Sequence, residues 1–233
     1  MKKLLLSGCV LFCIGLMAFA GDAAAFVDLG LSSDGRTYAF GEYGKTDKTF
    51  QGYAEIYTVD IEKNDFVEGE VFKTNPSAAT TSKSGKAVFD ELFDKAAWKL
   101  KKYDFKPAPS DNLLYLRDDR KSGDSEIVFK DFEGSTVEQS VFYHIQLAKT
   151  VEGGGEELRS SFFITLEKKD GSGNVISRNV VGSPDIKRKK VTDYRIDRIF
   201  SDKSGRNLVF VVEKTLSDVN GSSIRYMVET IRL

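Results

Sequence analysis

The sequence predicts a mainly β protein, an antiparallel and sandwich-like domain that carries one amphipathic α-helix. The chain has 233 residues, of which 41% are hydrophobic, so it is long enough to bury a core of ordinary size. Segments rich in Tyr, Phe, Val and Ile alternate with Gly- and Asp-containing turns, which is typical of strands joined by hairpins. A single segment has the three- and four-residue periodicity of an amphipathic helix.

The N-terminal residues have the features of an export signal. Two lysines follow the initiating methionine, and residues 4–20 form an almost unbroken apolar stretch of 17 residues. Two A-x-A sites, the pattern that a signal peptidase recognises, end at Ala20 and at Ala25. We predict a signal peptide over residues 1–25 with cleavage after Ala25, and cleavage after Ala20 is the alternative.

Removal of this peptide would also remove every cysteine. Cys9 and Cys13 are the two cysteines of the chain, so residues 26–233 would have no disulfide, no disulfide-linked partner and no thiolate metal site. No later apolar stretch approaches the ~20 residues of a membrane span. We therefore expect residues 26–233 to form a single soluble β-rich domain, periplasmic or secreted and stabilised by packing alone.

Strand signals occupy the first part and the C-terminal half of this domain. Residues 37–43 and 53–61 flank a Gly/Lys/Thr-rich connector, and residues 67–73 are a further short segment of this kind. After the helical segment, strand signals occupy residues 126–132, 137–149, 158–168, 174–181, 194–200, 207–214 and 224–232. Short turn-like separators favour antiparallel neighbours. The hairpin that starts at Asp34 resembles the one that starts at Ser204, so we expect two similar hairpins at the ends of one β-domain, and their adjacent placement would tie down both termini.

Residues 87–103 predict the helix. Its apolar side chains recur at three- and four-residue steps: Phe89, Leu92, Phe93, Ala96, Leu100 and Tyr103. An apolar stripe of this kind usually faces the core of its own domain, so we expect the helix to cover the sheet; a partner-docking helix is the alternative. Pro107 and Pro109 are expected to end it.

Residues with catalytic potential are few. His144 is the one histidine, and no G-x-S-x-G nucleophile motif is present, so we predict no catalytic residues, no metal site and no cofactor. We expect His144 to be isolated and exposed. The charges nearly balance, with 34 Lys+Arg and 35 Asp+Glu, which argues against a dedicated nucleic-acid binder. The basic cluster at residues 187–190 is expected to be an exposed loop after Pro184.

The first strands resemble known proteins. Residues 29–44 are LGLSSDGRTYAFGEYG and residues 52–60 are GYAEIYTVD. They resemble the opening of an uncharacterised family of predicted secreted bacterial proteins. They are also similar to single blades of the propeller domain in the Tol-system periplasmic protein, which have the pattern S-x-D-G-x-x-x-A-F followed by I-Y-x-x-D. The resemblance implies export and, as an alternative fold, a small or incomplete β-propeller; it implies no activity.

The function that these observations favour is a non-enzymatic periplasmic binding or protein-interaction module, whose partner is an envelope protein or polysaccharide. The candidate binding site is the face around Glu42, Tyr43, Tyr53 and Glu55, because tyrosines offer a large contact area with a polar tip. Two alternatives stay open. One is a hydrolase that acts on envelope glycans through a pair of carboxylates, and the other is a structural envelope protein stiffened by calcium.

Overall fold

A computed structural model describes residues 20–118, 126–218 and 221–233, which form thirteen strands and one α-helix. The strands are β1 (Ala20–Ala23), β2 (Ala25–Leu31), β3 (Thr37–Lys45), β4 (Gly52–Asp60), β5 (Asp65–Thr74), β6 (Leu113–Leu116), β7 (Ile127–Lys130), β8 (Val141–Glu152), β9 (Arg159–Asp170), β10 (Val175–Lys189), β11 (Val191–Ser201), β12 (Asn207–Asp218) and β13 (Gly221–Arg232). The helix is α1 (Gly85–Leu100), between β5 and β6. The two cysteines and most of the predicted signal peptide lie outside the described residues.

The strands form three sheets. The front sheet has the order β2-β3-β4-β5, the middle sheet β1-β13-β12-β11-β6, and the back sheet β10-β9-β8-β7. The pairing of β1 with β13 is parallel, and the other strand pairs of the described chain are antiparallel. The prediction of a mainly β, antiparallel fold with one helix is therefore confirmed. The sheets share packed faces, which is a layered arrangement and not the radial arrangement of a propeller.

The middle sheet is covered on both faces because its side chains alternate between two cores. Along β12, Val209 and Val211 pack with the front sheet, whereas Leu208, Phe210 and Val212 pack with the back sheet. All five side chains are fully buried. A strand covered on both sides is a continuous apolar run in sequence, and LVFVV is such a run.

Helix α1 covers the outer face of the front sheet, as predicted. The Ser84 hydroxyl accepts a hydrogen bond from the Ala87 N–H at 3.1 Å and caps the first turn. The buried helix residues pack on Ala54 and Ile56 of β4, and they are Val88, Phe89, Leu92, Ala96 and Leu100. One 3₁₀ turn follows Leu100 and completes the predicted range of 87–103. The left-handed conformation of Asp104 (φ 49°, ψ 49°), and not the prolines, ends the helical segment.

The two similar hairpins belong to different sheets and are in contact where each begins. The Asn207 side-chain amide, at the start of β12, donates a hydrogen bond to the Gly35 carbonyl at 3.0 Å. Gly35 has a φ of 68° in the turn before β3, a conformation that favours glycine. This contact joins the turn before β3 to the start of β12.

The predictions for the basic cluster and for the histidine are wrong. Residues 187–189 belong to β10, because a register shift between Ser183 and Arg188 accommodates Pro184 on this edge strand. The Arg188 guanidinium lies 5.0 Å from the centre of the Phe162 ring instead of extending from a loop. His144 is neither isolated nor fully exposed, since its Nδ1 lies 3.0 Å from Glu126 Oε1.

The contact between α1 and the front sheet depends on the absence of a side chain at Gly41. A Cβ there would lie 2.4 Å from Phe89 Cε2. We expect Gly41→Ala to lower the free energy of unfolding by about 1–3 kcal/mol through overpacking, measured by urea denaturation. Gly154→Ala is the matched control, because its Cβ would have no neighbour within 4 Å. Equal stability of the two variants would contradict this account of the interface.

Candidate functional site

A cavity of about 570 Å³ opens where the front sheet meets β13 and β10. This volume is within the range of small-molecule sites, which is ≈ 300–1,000 Å³. Its aromatic lining residues are Phe40, Tyr57, Phe66 and Tyr226. Its charged lining residues are the cations Lys63, Lys73, Arg188 and Lys214 and the carboxylates Asp65 and Glu229. A second cavity, of about 260 Å³, lies between the middle and back sheets near Asp131.

The aromatic wall follows from the two-residue period of the front strands. Phe40 and Tyr57 are directly opposite each other on β3 and β4, and their rings stack with centres 4.9 Å apart. The Phe66 ring, from the start of β5, stacks on Tyr57 at 5.1 Å. The front sheet therefore presents a flat apolar surface to the cavity.

The four cations of the lining differ in how they are paired. Lys73 Nζ lies 3.1 Å from Glu55 Oε2 and 3.2 Å from the Tyr57 hydroxyl. Arg188 Nη2 is 3.5 Å from Glu229 Oε1, a long contact. Lys214 is half-buried, and its ammonium forms no ion pair with a carboxylate of the described chain. Burial lowers the pKa of Lys214, and the more distant carboxylates of the site oppose that shift.

Two glutamates lie beside the aromatic wall, on the same face of the front sheet. Glu42 and Glu55 are directly opposite each other on β3 and β4. Glu42 is 1% exposed, and its Oε2 accepts a hydrogen bond from the Tyr226 N–H at 2.6 Å. Burial raises the pKa of Glu42 to about 7, and the charge of Glu55 adds to the rise, while the Lys214 ammonium and the Tyr226 N–H lower it. Glu55 is bound by Lys73 and by the Tyr57 hydroxyl.

Three of the four residues predicted as a binding face lie together, and the fourth does not. Glu42, Tyr53 and Glu55 share one face of the front sheet because their strands pair without a register shift. Tyr43 lies on the opposite face, where its ring is 5.6 Å from that of Phe89 on α1. Tyr53 is 4% exposed, and the Arg225 guanidinium lies over its ring at 4.2 Å. Whether these residues take part in binding stays a prediction.

The residues that line the cavity opposite the front sheet were not predictable from the sequence. Arg188 and Lys214 come from β10 and β12, more than 120 residues beyond β4 along the chain. One sequence feature points to Lys214: it follows the apolar residues 208–212 of β12 by two positions, where a lysine is unusual. Arg188 lies in a run of four basic residues, 187–190, which predicted an exposed loop and not a cavity lining.

Within the described ranges, no group of three or more His, Cys, Asp and Glu side chains is placed to hold a metal ion. No helix in these ranges is both long and apolar enough to cross a membrane.

The raised pKa of Glu42 predicts a pH dependence of stability. A carboxyl whose pKa rises from 4.5 to about 7 on folding stabilises the protein below pH 4.5, and that contribution is lost as the pH rises to about 7. The loss is roughly 3 kcal/mol for a shift of this size. We expect Glu42→Gln to reduce the fall in unfolding free energy between these pH values by that amount, measured by urea denaturation.

The control for this experiment is Glu62→Gln, at an exposed position next to β4. It should keep the pH dependence of the unmodified protein. If the unfolding free energy of Glu42→Gln falls with pH as much as that of the unmodified protein, folding does not raise the pKa of Glu42.

Comparison with known families covers most of this architecture. The profile of a family described as "Predicted secreted protein (DUF2259)" matches residues 39–232, from β3 to the last residue of β13. No curated protein matches the chain. The matched range includes the cavity lining, α1 and nearly all of the three sheets. The chain belongs to this predicted secreted protein family, which is the kind of family that its opening strands resemble.

Proposed function

We propose that the protein is an exported, non-enzymatic binding module, acting in the periplasm or outside the cell, that holds a small amphipathic anion in the 570 Å³ cavity. The observation that carries this proposal is the half-buried ammonium of Lys214, which lines the cavity without an ion pair to any carboxylate of the described chain.

The charge of the lining supports an anionic ligand. Four cationic side chains and two carboxylates line the cavity. An ammonium withdrawn from water is costly unless an anion accompanies it, and burial already lowers the pKa of Lys214. A carboxylate or phosphate beside Lys214 would restore that partner. Lys73 has less need of one because Glu55 already accepts from it.

The shape and polarity of the cavity support an apolar body on the same ligand. The stacked rings of Phe40, Tyr57 and Phe66 form one wall, and Ile186 and Val228 add aliphatic surface. Apolar walls with a few convergent polar groups are typical of small-molecule sites. An envelope protein or polysaccharide needs an exposed contact surface, and the burial of Glu42 and Tyr53 is unfavourable for that role.

A glycan hydrolase is less well supported because the carboxylates at the cavity already accept hydrogen bonds from the protein itself. Glu229 accepts from the Asn64 side-chain amide through Oε2 and faces Arg188 through Oε1. Asp65 accepts from the Phe66 N–H at 2.7 Å. Glu42 is buried, and Glu55 is bound by Lys73 and the Tyr57 hydroxyl. A general acid and a second carboxylate must both reach the substrate, so this arrangement favours binding over hydrolysis.

Fluorescent probes that differ in charge test the proposal. Anilinonaphthalene sulfonate is an aromatic anion, and phenylnaphthylamine has the same rings without the sulfonate. We expect Lys214→Met to weaken binding of the anion about tenfold, the effect of one charge-assisted hydrogen bond, and to leave binding of the uncharged probe unchanged. Fluorescence titration of both probes measures the two dissociation constants.

The control for charge alone is Lys95→Met, because Lys95 is exposed on α1 and distant from the cavity lining. It should change neither constant. Competition by dodecanoate, dodecyl phosphate and dodecanol then separates carboxylate from phosphate head groups, with the alcohol as the uncharged reference. Equal loss of both probes in Lys214→Met, or equal competition by all three compounds, would refute an anion site.

A further inference from the structure

The residues that follow Ala20 are built into the middle sheet. Strand β1 pairs in parallel with the start of β13, with Ala20 opposite Ser222 and Ala23 opposite Ile224. The Ala24 N–H extends this pairing by donating to the Ile224 carbonyl at 3.1 Å, and the Ala24 side chain is buried. This segment therefore protects the first part of a strand edge that would otherwise be open.

Asp22 makes the strongest polar contact of this segment. Both of its carboxylate oxygens accept from the Arg225 guanidinium, each at 2.9 Å, so the pair is bidentate. The Asp22 side chain is 6% exposed. Arg225 in turn lies over the Tyr53 ring, behind the cavity. Without Asp22, a partly buried guanidinium would lose its only ion-pair partner in the described chain.

Gly21 fits the same register because it has no side chain. A Cβ at this position would lie 1.5 Å from the Ser222 carbonyl oxygen. Backbone contact this close is possible for glycine alone. The sequence of residues 21–24 thus matches its place beside β13 at each position: a glycine at the close approach, an acid opposite Arg225, and small side chains beyond it.

We propose that signal peptidase cuts the bond between Ala20 and Gly21, so that the mature chain begins at Gly21, loses only Ala20 of β1 and keeps the contacts of residues 21–24. Water adds across this peptide bond, leaving a carboxyl group on Ala20 and a new α-amino group on Gly21. The sequence alone favours the cut after Ala25, which would remove all these contacts and also Ala25, the residue of β2 opposite Tyr43. The inference is independent of the proposed anion site.

The experiment is export of the full precursor with a C-terminal tag in a Gram-negative host, followed by intact mass measurement and N-terminal sequencing of the purified protein. We expect the sequence Gly-Asp-Ala-Ala-Ala-Phe, from residue 21 onward. A chain that begins at Phe26, one that keeps the apolar stretch, or one that is lipidated at Cys9 would each overturn the proposal.

A second measurement tests the structural reason for the cut. In the processed protein, Asp22→Asn removes the charge that faces Arg225, and Asp47→Asn is the control at an exposed loop position. We expect the first to lower the melting temperature by about 4–8 °C and the second to leave it within about 1 °C. Equal melting temperatures of the two variants would show that Asp22 does not stabilise the fold, and would overturn the structural basis of the proposal.

Discussion

The fold depends on burial of both faces of the middle sheet, one against the front sheet and one against the back sheet. The five consecutive residues 208–212 of β12 are fully buried, and they alternate between the core shared with the front sheet and the core shared with the back sheet. Each such aliphatic or aromatic side chain contributes ≈ 1.5–3 kcal/mol when it is buried. Loss of either flanking sheet would expose one half of this run. The middle sheet therefore depends on both outer sheets for burial. Helix α1 covers the outer face of the front sheet in the same way that the front sheet covers one face of the middle sheet.

Local structure could be predicted from the sequence because it depends on local periodicity. The apolar steps of α1 and the paired strands around residues 44–52 are set by nearby residues, and the structure has them close to the predicted bounds. The order of the sheets was not predictable in this way. The pairing of β6 with β11 joins segments about 80 residues apart, and no periodicity indicates such a partner. Lys187 and its neighbours were assigned to a loop because charge outweighed strand propensity, although charged residues are common on edge strands.

The candidate site was predictable to the extent that it lies within one hairpin. The equal lengths of β3 and β4 place Glu42 opposite Glu55, and strict alternation separates Tyr43 from both. The other half of the site comes from β10, β12 and β13, whose positions depend on long-range packing. Glu42 and Tyr53 are buried beside the cavity, whereas composition alone predicted an exposed binding face.

Two ionisable residues around the cavity, Glu42 and Glu229, take part in protecting the edge of β13, whereas Lys214 does not. Strand β1 covers β13 only as far as Ile224, and beyond that point side chains take over the protection of the strand edge. Glu42 accepts from the Tyr226 N–H, and Asn64 accepts from the Thr230 N–H at 2.6 Å and donates to Glu229. Glu42 can accept from the Tyr226 N–H only because it is buried, and burial raises its pKa. The backbone N–H groups at this edge of β13 are thus satisfied without another strand. Lys214 has no part in this protection. Its ammonium has no such bond in the described chain, and so it is the residue of the cavity on which the proposed anion site depends.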